Sequence, residues 1–101
     1  MPTPIKSERD MALYQTIASL RDAEECVHFF EDLLAVTELS AIEQRFQVAV
    51  CLLDRQPYSE ILARTGASSA TVSRVNRMLR EGTGVLAAAA AGQTEKMHGA
   101  E

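Results

Sequence analysis

Apolar residues recur at helical spacing along most of the chain, and no stretch alternates with the period of two that marks a half-buried strand. Met11, Tyr14, Ile17 and Ala18 form one stripe, flanked by Leu13 and Leu20. That pattern predicts a first helix running to about Leu20, with Ser7 as its cap and Glu8 and Asp10 in the first turn. Asp22 is placed to cap a second helix, in which Cys26, Phe29, Phe30 and Leu33 sit at i, i+3, i+4 and i+7, with Val27 and Leu34 widening the face. A third helix begins near Thr37, or at Ser40 if the Ser40-x-x-Glu43 capping box is its start, and carries Ile42, Phe46, Ala49, Val50 and Leu53 on its inner side. Pro57 lacks a backbone N–H, so it closes that helix after Arg55 and opens the next near Tyr58.

Between Tyr58 and Arg80 the pattern predicts two short helices around a tight turn. Ile61 and Leu62 face inward on the first, Gly66 is the residue suited to positive φ, and Ser68 is positioned to cap the second. Val72, Val75 and Leu79 recur at i, i+3 and i+7 as the buried stripe of that second helix. Its outer face holds Ser69, Ala70, Ser73 and Arg77, with Arg74 beside them. Small residues there let the backbone approach a groove floor while arginine reaches phosphates or base edges. After Gly82 and Gly84, the run Ala87 to Ala91 predicts a short helix ending at Gly92. The expected organisation is all-α, five or six helices, with a mobile arm over 1–7, one domain over 8–91 and a disordered tail over 92–101.

Composition narrows the class. At 101 residues and 47% hydrophobic the chain suits one globular domain and is too apolar for intrinsic disorder. No apolar run approaches the roughly 20 residues needed to cross a bilayer, and the first residues lack the basic-then-apolar pattern of a signal peptide, so a cytoplasmic protein is expected. Cys26 and Cys51 have no metal-ligand spacing and fall in apolar helical patterns, as expected of buried, reduced thiols. His28 and His98 lack ligand partners at metal spacing, and no phosphate-binding glycine loop or nucleophile elbow is present. Neither an enzyme nor a metal site is expected.

A formal net charge of −4 argues against a nucleic-acid partner, but the charge is unevenly spread. From residue 55 to 80 the chain holds five arginines (55, 64, 74, 77 and 80) against the single acid Glu60. That segment therefore carries +4 and the remainder −8. A charge run alone is compatible with a solvated helix face. Here it coincides with the turn-and-cap motif, and neither feature needs the other for stability.

The motif I-L-A-x-x-G-x-S-x-x-T-V-S-R, from Ile61 to Arg74, is joined by Phe29-Phe30-Glu31-Asp32-Leu33-Leu34, by Gln44-Arg45-Phe46 and by Leu52-Leu53. Together they resemble the Trp-repressor-related family, and within it the YerC/YecD group of small helix-turn-helix regulators, over roughly residues 8–91. The resemblance implies a six-helix protomer in an intertwined homodimer. It implies a sequence-specific transcriptional regulator whose two recognition helices lie about 34 Å apart on palindromic double-stranded DNA. The residues expected at DNA are Arg64, Ser68, Ser69, Ala70, Thr71, Ser73, Arg74, Arg77 and Arg80. Arg64, Arg77, Arg80 and the helix start would hold phosphates, and Ser69, Ala70 and Ser73 would face bases. Glu60 stands where the repressor has a basic contact, so its operator does not carry over. Arg45 and Arg74 match the two arginines that hold tryptophan in the repressor, whereas Ala35 and Met78 replace its Thr and Ser. A tryptophan-responsive repressor is therefore one alternative, and a helical protein-interaction module without specific DNA binding is the other.

Overall fold

A computed structural model describes residues 9–99, and among them forms six helices and no strand. They are α1 (Met11–Ala18), α2 (Ala23–Leu33), α3 (Val36–Leu53), α4 (Tyr58–Thr65), α5 (Ser69–Glu81) and α6 (Val85–Gly99). The domain expected over 8–91 comprises two compact parts, one reaching Ser40 and one beginning at Ala41.

In the first part the caps set the boundaries. Ser7 and the expected arm over 1–7 lie outside the described residues. The Asp10 carboxylate accepts from the Ala12 N–H at 3.0 Å, so α1 starts at Met11, and it ends at Ala18, short of the predicted end near Leu20. Asp22 caps α2 as predicted, accepting from Glu25 N–H at 2.9 Å. The Ser40–Glu43 box does not start α3. Glu38, three residues inside the helix, accepts from Ala35 N–H at 2.8 Å and sets the start at Val36. No residue of α1 or α2 is buried, and Tyr14, Val27, Leu33 and Val36 are exposed. Cys26 is only partly buried, contrary to expectation, while Cys51 is buried.

The second part has a true core. Val48, Ala49, Val50 and Cys51 of α3 meet Ile61, Ala67, Val72, Val75 and Ala90, with Leu52, Leu53, Leu62, Leu79 and Leu86 packed around them. Ile42 and Phe46, expected on the inner side of α3, are exposed instead, because the buried stretch of that helix lies one turn further along. The chain leaves α3 through a six-to-one and five-to-two pair of hydrogen bonds, Gln56 N–H to Cys51 O and Arg55 N–H to Leu52 O. Arg55 takes the left-handed position of that motif, at φ 61°. A non-glycine residue pays for this conformation, so Arg55→Gly should raise the urea midpoint by the equivalent of about 0.5–1 kcal/mol. An unchanged or lower midpoint would show that the arginine side chain compensates.

The C-terminal helix is longer than the sequence suggests. The expected tail from residue 92 is helical to Gly99, because Gly92 costs only about 1 kcal/mol inside a helix and good helix formers follow it. Thr94 Oγ1 donates to Ala90 O one turn back in the same helix at 3.1 Å, and a tertiary contact anchors the end, where His98 Nε2 lies 2.5 Å from Asp54 Oδ1. Hydrogen bonds from the Gln56 amide, then from His98, hold the Asp54 carboxyl below its ordinary range.

Candidate nucleic-acid interface

The α4–turn–α5 unit is built by short-range bonds that the sequence encodes directly. α4 opens on Pro57, whose carbonyl accepts from the Glu60 and Ile61 N–H groups, and ends at Gly66. Gly66 adopts φ 71°, ψ 7° and donates to Leu62 O at 3.0 Å. Thr65 Oγ1 donates to Ile61 O at 2.8 Å and accepts from Ala67 N–H at 3.2 Å, which fixes the turn. Gln44 Nε2 donates to Thr65 O at 3.1 Å and ties the turn to α3. Ser68 Oγ then caps α5, accepting from Thr71 N–H and donating to Thr71 Oγ1, each at 3.1 Å. Ile61, Val72 and Val75 are essentially inaccessible, so the orientation of α5 is set by packing.

With that stripe inward, Ser69, Ala70, Ser73, Arg74, Arg77 and Arg80 are exposed along α5. Ser68 and Thr71 are paired with each other, which makes them positioning residues for the helix start. The ion pairs among the described residues involve Arg21 with Glu25, His28 with Glu24 and Glu31, and His98 with Asp54. None involves Arg45, Arg55, Arg64, Arg74, Arg77 or Arg80. The first turn of α5 has no acid, and no carboxylate side chain occurs between Glu60 and Glu81. A phosphate approaching this face meets unpaired guanidinium groups and the free N–H groups of a helix start.

Cavities among the described residues adjoin the unit. A shallow depression of about 350 Å³ is lined by Arg74, Arg77, Met78, Glu81 and Gly82. Gly82 is required there by close approach, since a Cβ would stand 2.7 Å from the Met78 carbonyl oxygen. Arg45, the other candidate effector residue, is exposed on α3 and does not line this depression. Arg64 does not line it either. It lines a second cavity, with Phe46, Val50 and Cys51 of α3, Thr65 of α4 and Met97 of α6. That cavity was not legible in the sequence, because one wall comes from the stretch expected to be tail. Burial pushes the Cys51 thiol up, so it stays neutral there.

Comparison with known proteins places these features in a family. The family model described as Trp repressor protein matches residues 9–93. An uncharacterized protein of Bacillus subtilis, YerC, is 46% identical over 70 residues, covering 69% of this chain and 67% of YerC. A TrpR-like protein from Eubacterium eligens superimposes with a TM-score of 0.74 at 38% identity, over 88% of this chain and 87% of that one. A second solved chain, from Staphylococcus aureus, gives 0.74 at 34% identity over 92% and 91%.

Proposed function

Since the chain belongs to the Trp repressor family, we propose that it is a sequence-specific DNA-binding regulator that works as a homodimer through α4 and α5. The observation that carries this reading is the exposed face of α5, where small side chains share one surface with three arginines that have no ion-pair partner among the described residues. Ser69, Ala70 and Ser73 at the helix start face the bases, and Arg77 and Arg80 hold the backbone on either side. Short side chains reach few base edges, so much of the discrimination comes through water and duplex shape. The uncovered apolar residues of α1 and α2 support the dimer, because an eleven-residue amphipathic helix with nothing buried needs a partner surface. A second copy supplies it with two-fold symmetry.

Sedimentation and fluorescence anisotropy on labelled duplexes across a salt series test this reading. Two chains per duplex and a steep fall of affinity with salt are expected, since counterion release scales with the phosphates engaged. A salt-independent, monomeric interaction would contradict it and favour a protein-binding module. L-tryptophan in the same titration addresses gating. With Met78 beside Arg74 in the depression, duplex affinity should change less than about twofold, well under the roughly fivefold minimum of typical allosteric coupling.

A further inference from the structure

The cavity between α3, α4 and α6 shares Arg64 with the residues expected at phosphates, and its lining has the make-up of a small-ligand site. Its volume is about 320 Å³, at the lower end of the range for pockets that enclose small molecules. Phe46, Val50 and Met97 give it apolar walls, and Arg64 is its one charged lining residue among those described. That guanidinium has no carboxylate within ion-pair distance among the described residues. We propose that this cavity binds a small apolar carboxylate, with the anion on Arg64 and an aromatic or aliphatic body against Phe46, Val50 and Met97. An α-amino acid fits poorly, because its ammonium group would lose water with no acid in the lining to receive it.

Thr65 lines the same cavity while its hydroxyl and carbonyl hold the turn before α5. Resting on the DNA-binding reading, occupancy therefore changes duplex affinity through the position of α4 and the turn.

The full chain, without DNA, is titrated with phenylacetate, phenylacetamide and L-phenylalanine and followed by amide NMR shifts. Phenylacetate should move the Arg64, Thr65 and Met97 resonances saturably. The uncharged amide and the amino acid should bind about tenfold more weakly, as loss of one charge-assisted contact implies. Arg64→Gln should weaken phenylacetate by a similar factor, and Met97→Trp, which fills the cavity and leaves Arg64 in place, should abolish binding. Equal affinity for phenylacetate and phenylacetamide, or unchanged affinity in Arg64→Gln, overturns the proposal. So does the absence of any saturable shift, the result expected if a second copy of the chain already fills the cavity. The comparison of acid with amide needs no variant to fold. Because DNA is absent, failure here leaves the DNA-binding reading standing, and failure of DNA binding leaves this titration unaffected.

Discussion

Arg77→Ala is expected to weaken binding to every duplex, specific or random, by about tenfold, and to flatten the plot of log affinity against log salt by about two units. Each phosphate neutralised contributes roughly 0.9 of a unit to that slope, and a dimer carries two copies of Arg77. The side chain is exposed and has no ion-pair partner among the described residues, so its removal leaves no buried partner unsatisfied and should shift the urea midpoint by less than about 0.5 kcal/mol. Ser73→Ala is the contrasting variant. It removes a short polar group one turn from the start of α5, and should change the ranking of sequences while leaving the salt slope intact. Equal losses on all sequences for both variants would show that Ser73 does not read bases. A change of one unit for Arg77→Ala would indicate a single bound copy.

Ile61→Ala is expected to cost about 3 kcal/mol of stability, the largest effect of any single truncation in the motif. Ile61 is wholly inaccessible at the centre of the core that α3, α4 and α5 share, and its removal leaves a cavity that helices anchored by Pro57 and Gly66 cannot collapse to fill. Chemical denaturation measures the loss, and duplex binding by the fraction still folded should be weakened as well, since α5 is oriented by this packing. Ile61→Val, which removes a single methylene, should cost about 1 kcal/mol. A loss below 1 kcal/mol for Ile61→Ala would mean that the site relaxes and that the orientation of α5 depends on something else.

What the sequence makes legible follows the range of the interactions involved. Asp22, Gly66 and Ser68 each act within three or four residues, so the start of α2, the turn and the start of α5 can be read directly. The inward stripe of buried Val72 and Val75 with partly buried Leu79 is equally local, because helical periodicity alone sets which face turns inward. Features that depend on distant partners are hidden. Gly92 reads as a stop until the contact of His98 with Asp54, 44 residues away in sequence, shows what anchors the helix beyond it. The same long-range docking places Met97 and Phe46 in the lining of one cavity. Ile42 and Phe46 look like core residues from spacing, yet spacing cannot say whether the covering surface lies in the same chain. The residues proposed to face DNA fall between these cases: their exposure follows from the helix period, while their lack of ion-pair partners among the described residues depends on the folded arrangement of the whole unit.

Selection of bound duplexes from a random pool by the purified chain, at near-physiological salt, tests the central claim most directly. The expected result is a two-fold symmetric consensus whose half-sites are centred about one helical turn apart, roughly 34 Å. Recovery of no consensus, with binding that vanishes as salt rises, would contradict sequence-specific recognition by a dimer and leave only the non-specific attraction of five arginines for phosphate.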